Sequence, residues 1–205
     1  MIGNDVVDLG DPEVQASGRH PRWDARVFSS LELETLHASG APDRLRWIFW
    51  TAKEAAYKVA RKLDRRIVFS PPRFEVRLDA TLRGHVHHPE GTFPVRVDEA
   101  KDRLHAIASD EEPGDSDLLE QVVAWDGDVA LAGKALRARV RRELATRLEL
   151  QAEDLEIDRI GRIPVVLAAG RPVDVDLSLS HHGGFVAFAC DLSEGAGDWW
   201  SEARS

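Results

Sequence analysis

The sequence has very little cysteine and no long apolar run. Its single cysteine, Cys190, excludes an internal disulfide and any zinc site built from several cysteines. Cys190 lies in the apolar run FVAFAC, which predicts a buried and inert thiol. The longest apolar runs, such as 164–169, are far shorter than the roughly 20 residues that cross a bilayer. The N-terminus also lacks the basic and apolar regions of a secretion signal. We therefore expect a cytoplasmic protein with no membrane partner.

The sequence also has fewer basic than acidic residues. The net charge is −9 at pH 7, which argues against a general nucleic-acid binder. Basic residues are nonetheless clustered at Arg61, Lys62, Arg65 and Arg66. Such clusters are more often solvated helix faces than sites, yet an anionic ligand or an acidic partner would have to dock at one of them. We predict no nucleic-acid partner and keep 61–66 as a candidate docking surface.

The most organised stretch is a helix predicted over 47–63, with Asp43 as its N-cap. Apolar side chains at helical spacing form a core stripe: Leu45, Phe49, Ala52, Ala56, Val59 and Leu63. The opposite face carries Trp47, Trp50, Thr51, Glu54 and Lys58. Either a second layer covers this face or it lines a cleft. On spacing alone, Glu54 and Lys58 are an ordinary surface pair worth about 0.2–0.5 kcal/mol.

The N-terminal half of the chain alternates between helical and strand patterns. Residues 1–9 suit a buried strand, in which Asp5 is costly unless a charged group or donor meets it, although it could also cap a turn. A loop over 10–27 and a helix capped by Ser29 or Ser30 precede the central helix. Strands are predicted near 74–78, 93–97 and 103–109. We interpret His85, His87 and His88 as exposed loop histidines rather than metal ligands.

A second half follows the acidic segment SDEEPGDSD at 109–117, which we interpret as a linker. A strand at VVAW, a helix from an Asp128 cap to Leu148, and four strands are predicted there: 155–160, 164–168, 175–180 and 185–190. The predicted fold class is α+β, with two similar halves, a pseudo-dimer, each a main helix on a small antiparallel sheet. We divide the chain into 1–110, 118–192 and a tail, 193–205. Trp199 and Trp200 in the tail either pack back on the body or form an exposed patch.

Three segments carry groups suited to phosphate chemistry. Asp5 and Glu54 offer the oxygen ligands that Mg²⁺ takes beside substrate phosphates, and Lys58, one turn from Glu54, adds a positive charge. Ser180 and His181, with the glycines at 183 and 184, offer a hydroxyl, an imidazole and close backbone approach to a phosphorylated ligand. Neither a GxGxxG fingerprint nor a P-loop is present.

A serine hydrolase is the competing interpretation of the last segment. Ser180 and His181 are adjacent in a predicted strand, so their side chains should point to opposite faces, which argues against a nucleophile and base pair. The GxSxG nucleophile motif is absent too. Without the other segments, His181 would best be interpreted as a hydrogen-bonded histidine at a strand end.

The segments together resemble the 4′-phosphopantetheinyl transferase superfamily. Its signature combines a G-x-D strand, W/F-x-x-K-E-A-x-x-K on a helix, and an S-x-S-H segment. Here these are GND at 3–5, WTAKEAAYK at 50–58 and SLSH at 178–181. The segment RVFSSLELE at 26–34 also looks like the one between the first two motifs. The motif order is that of holo-acyl-carrier-protein synthases, whereas the length is that of surfactin-type enzymes, so the resemblance implies a surfactin-type chain with its halves exchanged.

This resemblance implies Mg²⁺-dependent transfer of the phosphopantetheine arm from coenzyme A to a serine of an apo acyl, polyketide or peptidyl carrier protein. It implies Asp5 and Glu54 as metal ligands and Lys58 as the stabiliser of the leaving phosphate. It leaves open whether Glu54 or a water on the metal takes the serine proton. Surfactin-type enzymes tend to carry a further acid at the position of Val7, so Asp8 is doubtful as a ligand.

The same resemblance implies Arg162, Ser180 and His181 as contacts of the adenosine-side phosphates, together with Lys58. It implies one active site between the halves of a monomer. Two alternatives are weighed against it: a non-catalytic protein that binds coenzyme A or a carrier domain, and a Mg²⁺-dependent phosphotransferase acting on a nucleotide. The pathway of the carrier stays open.

Overall fold

The computed structural model describes residues 1–15, 20, 22–111 and 117–196, and in these it is a mixed α+β fold. The helices are α1 (Trp23–Val27), α2 (Ser30–Ala38), α3 (Pro42–Leu63) and α4 (Val129–Leu148). The strands are β1 (Ile2–Asp8), β2 (Glu75–Leu78), β3 (Arg83–His88), β4 (Gly91–Glu99), β5 (Arg103–Ser109), β6 (Leu118–Ala124), β7 (Leu155–Ile160), β8 (Ile163–Ala168), β9 (Arg171–Pro172), β10 (Asp176–His182) and β11 (Phe185–Asp191).

The first sheet has the strand order β1-β5-β4-β3-β2, and all its strands are antiparallel to their neighbours. Helix α3 packs on one face of this sheet. The predicted core stripe is confirmed at Phe49, Ala52, Ala56 and Val59, each at most 4% exposed. The prediction was wrong at Leu63, the last residue of the helix, which is 52% exposed.

The start of α3 also differs from the prediction. The helix begins at Pro42, with Ala41 as its N-cap and no side-chain cap. Proline fits the first helical position because its missing N–H has no partner there in any case. Asp43 therefore lies inside the first turn, where it pairs with Arg46 rather than capping. By contrast, Ser29 caps α2 as predicted and forms a reciprocal capping box with Glu32.

The second part of the chain contains two three-stranded antiparallel sheets, β10-β11-β6 and β7-β8-β9. Helix α4 begins after Asp128, whose carboxylate accepts a hydrogen bond from the Ala130 N–H as a cap should. Its apolar residues Leu136, Val140 and Leu144 are buried against β7, β10 and β11. The predicted strands and helix of this part are confirmed, and the fold class is α+β as predicted.

Strand β1 is the element that joins the two parts. Residues on one face of the strand, such as Val7, belong to the core under α3. On the other face, Val6 packs against Phe185 and Ala187 of β11, and Ile2 packs against Ala189. This double packing places the first motif, on β1, between the helix of the second motif and the strands of the third. That the two halves are related copies stays a prediction, as does the division of the chain at 110–118.

The structure corrects the interpretation of three histidines and decides between the alternatives for the tryptophan face of α3. The histidines at 85, 87 and 88 lie on β3 rather than in a loop. His85 is exposed as expected, whereas His88 is buried against Phe74, with ring centroids 4.3 Å apart. The tryptophan face of α3 is covered by the segment before α2, where Trp23 lies 5.4 Å from Trp47 and 5.7 Å from Trp50. Of the two alternatives for this face, a covering layer is therefore the one found at Trp47 and Trp50.

Cys190 is fully buried, and burial raises the pKa of its thiol, as expected of an inert cysteine. Within the described residues, no helix combines the length and the apolar character needed to cross a membrane. Most of the predicted linker, 112–116, and both Trp199 and Trp200 lie outside the described residues.

Candidate active site

The close approach of β1 and α3 creates the site. A Cβ on Gly3 would lie 2.1 Å from the carbonyl oxygen of Ala55, so any larger residue would force the strand and helix apart. Asp5 shares the face of Gly3, two residues along the strand. The glycine of the GND motif therefore allows the carboxylate of Asp5 to meet the side chains of Glu54 and Lys58, which lie one residue before and three residues after Ala55 on α3.

Asp5, Glu54 and Lys58 come together here. Lys58 Nζ donates a hydrogen bond to Asp5 Oδ1 over 3.1 Å, and the two side chains are 27% and 14% exposed. Burial raises the pKa of Asp5, and Lys58 opposes that rise. Burial, and then the charge of Asp5, raises the pKa of Glu54 to about 7. The carboxyl groups of Asp5 and Glu54 are thus both largely removed from water, next to the ammonium group of Lys58.

Lys58 also reaches the second half of the chain. Its ammonium donates to the carbonyl oxygen of Asn4 over 2.6 Å and to that of Leu179, on β10, over 3.5 Å. The amine is therefore held at the line where α3, β1 and β10 meet. It presents one positive charge to the acidic pair and to the space between the halves.

The serines of the third motif dock β10 on β1. Ser178 Oγ accepts a hydrogen bond from the Asn4 N–H, and Asn4 Nδ2 donates to the Ser178 carbonyl. Ser180 Oγ donates to Asn4 Oδ1 over 2.6 Å and is buried, so in this structure its hydroxyl is occupied at the junction. His181 lies on the opposite face of β10 and is exposed, as the strand geometry predicts.

Asp8 occupies the far end of β1, away from Asp5. Its carboxylate accepts hydrogen bonds from the Gly184 N–H over 2.7 Å and the Gly10 N–H over 2.8 Å. Gly183 has φ +51°, and a Cβ there would lie 2.5 Å from Asp8 Oδ2. The two glycines after His182 are thus explained by close packing on Asp8, and Asp8 points away from the face that carries Asp5.

A cleft of about 200 Å³ opens between α3 and the second half. Its lining residues are Tyr57, Lys58, Arg61, Lys62, Arg162, Ile163, Pro164, Ser178 and Leu179. Arg162 lies in the tight turn between β7 and β8, which brings its guanidinium across to α3. Lys58, Arg61 and Arg162 give this cleft the positive charge that a ligand with several phosphates requires.

The donor set beside the cleft fits Mg²⁺. Asp5 and Glu54 supply carboxylate oxygens from two rigid elements, and hard oxygen ligands are what this cation prefers. The raised pKa of each carboxyl group also means that a nearby cation would relieve an existing electrostatic penalty. One or two protein carboxylates plus substrate phosphates is the usual arrangement for Mg²⁺.

Sequence reasoning missed two buried ion pairs on α3. Lys62, at 2% side-chain exposure, donates to Asp176 Oδ1 over 2.7 Å and also to the carbonyl oxygens of Ile2 and Leu177. Lys53, in the KEA motif, is fully buried and donates to Glu32. The S-x-x-E capping box at 29–32 was the available signal for Glu32, whereas nothing local to Lys62 marks it as buried.

The basic cluster at 61–66 is therefore not one surface. Lys62 points into the protein, Arg61 donates to the Tyr57 hydroxyl beside the cleft, and Arg66 is exposed and paired with Asp64. The prediction of a continuous docking surface was wrong for Lys62, because its ammonium is held by Asp176 and by the Leu177 carbonyl oxygen of β10.

Comparison with known proteins identifies the family. A sequence model of the 4′-phosphopantetheinyl transferase superfamily matches residues 1–109, which carry Asp5, Glu54 and Lys58. No curated protein is a significant match to the chain. The family match covers just over half of the sequence, and its residues form the acidic pair and the lysine described above. This chain therefore belongs to the 4′-phosphopantetheinyl transferase superfamily, with a role in phosphopantetheine transfer.

Proposed function

We propose that the protein is a Mg²⁺-dependent transferase of the holo-acyl-carrier-protein synthase type. In this proposal it moves the 4′-phosphopantetheine arm of coenzyme A to a serine hydroxyl of an apo carrier protein. The observation that carries the proposal is the meeting of Asp5, Glu54 and Lys58 beside a cationic cleft between the two halves. Coenzyme A has a pyrophosphate and a 3′-phosphate, which match this cleft in charge.

In the proposed reaction, the cleft binds coenzyme A and the acidic pair lies beside the bond that breaks. The serine oxygen forms a bond to the phosphorus next to the pantetheine arm, and the bond from that phosphorus to the leaving adenosine 3′,5′-bisphosphate breaks. Asp5 and Glu54 would hold Mg²⁺, which when bound neutralises charge on the pyrophosphate. Lys58, fixed by Asp5 and two carbonyl oxygens, stabilises the negative charge that grows on the leaving phosphate.

The serine proton needs an acceptor near the acidic pair. Glu54, one of the two carboxylates of the acidic pair, is the candidate base that this chain supplies. On the ligand side, we propose that Arg162 and His181 contact the adenosine-side phosphates. Ser180 has its hydroxyl on Asn4, so we propose that it acts chiefly by fixing β10 against β1.

The direct test measures arm transfer by mass. The purified protein is incubated with coenzyme A, Mg²⁺ and apo carrier proteins of fatty-acid, polyketide and peptide synthesis, and each carrier is weighed by mass spectrometry. We expect the mass gain of one phosphopantetheine arm on at least one carrier. Glu54→Gln and Lys58→Met should remove the gain, whereas the exposed matched controls Glu34→Gln and Lys101→Met should keep it.

Three results would contradict the proposal. Binding of coenzyme A with no transfer to any carrier would favour the non-catalytic alternative. Consumption of a nucleotide in place of coenzyme A would favour a phosphotransferase. Undiminished transfer by a folded Glu54→Gln variant would show that the metal ligand and base are assigned to the wrong residue.

A further inference from the structure

A second group of potential metal ligands shares no residue with the acidic pair. Asp98 on β4, His105 on β5 and Glu120 on β6 each bring one ligand atom within 4.8 Å of the other two. Asp98 and His105 face each other across β4 and β5, whereas Glu120 comes from the second half of the chain. Within the described residues, these are the His, Cys, Asp or Glu side chains that form a group of at least three close enough to share one ion.

His105 gives this group a property that an ordinary acidic cluster lacks. The residue is only 4% exposed, and its Nε2 has no hydrogen-bond partner within the described residues. An unpaired buried ring nitrogen costs about 1–3 kcal/mol. His105 lines a cavity of about 250 Å³ together with Asp98 and Glu120, so a ligand has room to reach it.

The protonation state of His105 also suits a metal ligand. Burial lowers the pKa of its imidazole to about 4, so the ring is neutral and can donate a lone pair at neutral pH. The nearby positive charges of Arg96, Lys58 and Arg103 act in the same direction, whereas Asp98 opposes them.

Arg96 already supplies positive charge to two of these three side chains, as a bound cation would. Its guanidinium donates to Asp98 Oδ2 and to Glu120 Oε2, one oxygen of each carboxylate. Both acidic side chains keep contact with solvent, at 58% and 30% exposure, so they can reorient. Arg96 therefore competes with a cation at this place but does not fill the position next to His105.

We propose that Asp98, His105 and Glu120 bind one divalent transition-metal ion of the Zn²⁺ class. An imidazole with two carboxylates is a donor set suited to Zn²⁺, whose usual four positions leave one for water. Mg²⁺ fits less well because a nitrogen ligand is foreign to it. Bound there, the ion ties β4 and β5 to β6 and so fastens the two halves of the chain to each other.

The test measures Zn²⁺ binding by the full chain after chelator treatment and dialysis. Zn²⁺ is titrated in excess Mg²⁺ against a chromophoric chelator, and thermal unfolding is followed in the same samples. We expect one Zn²⁺ per chain and a rise in Tm. Co²⁺ should report the same site by visible absorption of a nitrogen and oxygen coordinated ion.

Variants separate a built site from incidental binding. His105→Gln should weaken Zn²⁺ binding by at least about 100-fold and Glu120→Gln by at least about tenfold, because loss of a residue that only supports a ligand already costs about 10–100-fold and these two are proposed as ligands. Arg96→Gln should strengthen binding by about tenfold, because it removes a competing positive charge. His85→Gln, at an exposed position on β3, should change nothing.

The opposite results would overturn the inference. Absence of Zn²⁺ binding by the wild type, unchanged binding in His105→Gln, or weaker binding in Arg96→Gln would each do so. Should His105→Gln fail to fold, the exposed substitution Asp98→Asn decides, since equal affinity there would also refute the site. Loss of arm transfer in Glu54→Gln leaves this result untouched, so the two proposals fail separately.

Discussion

The acidic pair predicts that the active site destabilises the metal-free protein. Glu54 has a pKa of about 7 in the folded chain, against an ordinary value of 4.5. At about 1.4 kcal/mol for each tenfold change in proton affinity, the ionised carboxylate costs about 3 kcal/mol of folding free energy above neutral pH. Glu54→Gln removes that charge while keeping the shape. We expect the variant to be more stable than the wild type at pH 8.

The sign of the pH dependence follows from the direction of the shift. Between pH 4.5 and 7 the folded wild type holds a proton on Glu54 that the unfolded chain has lost, so stability falls as pH rises through this range. The variant lacks this titration. The gain from Glu54→Gln should therefore be near zero at pH 4.5, grow through neutral pH, and level off at about 3 kcal/mol by pH 8.

Urea unfolding with a chelator present, at four pH values from 4.5 to 8, measures this difference. Glu34→Gln, at an exposed position on α2, is the control and should show no such slope. Asp5→Asn should flatten the wild-type slope, because the charge of Asp5 is the second cause of the raised pKa. Equal stability of Glu54→Gln and wild type at pH 8 would refute the argument, as would a variant that is less stable there.

Three further predictions concern residues that support or line the site. Lys62→Met should cost about 3–5 kcal/mol in urea unfolding because it leaves the fully buried Asp176 carboxylate uncompensated. Adding Asp176→Asn should recover part of that loss, and strictly additive effects would contradict the pairing. Gly3→Ala should lower both stability, by about 1–3 kcal/mol, and arm transfer, because a Cβ there would lie 2.1 Å from a carbonyl oxygen of α3; wild-type values for both would refute the close approach. Arg162→Ala should raise the KM for coenzyme A about tenfold, as expected for a lost charge-assisted contact, and leave the KM for the carrier unchanged. Arg171→Ala is the matched control, and an equal effect from it would refute a specific contact.

Local patterns were enough to predict most elements and the acidic pair. The apolar stripe of α3, the caps at Ser29 and Asp128, and the alternation along β2 each depend on residues a few positions apart. The three motifs identified Asp5, Glu54 and Lys58 as a group without any knowledge of how they meet. The strand β3 was missed because its histidines and the glycine at 84 obscure its alternation.

The tertiary structure alone decided which charged side chains are buried. Lys53 and Lys62 look like exposed helix cations in sequence, yet their carboxylate partners lie 21 and 114 residues away along the chain. It likewise decided that the Ser180 hydroxyl is occupied by Asn4, 176 residues away, and that Trp23 covers the tryptophans of α3. The sequence thus determined the chemical groups and their elements, because these depend on neighbours along the chain. Packing determined their partners, since burial of a long polar side chain depends on groups that only the folded chain brings near.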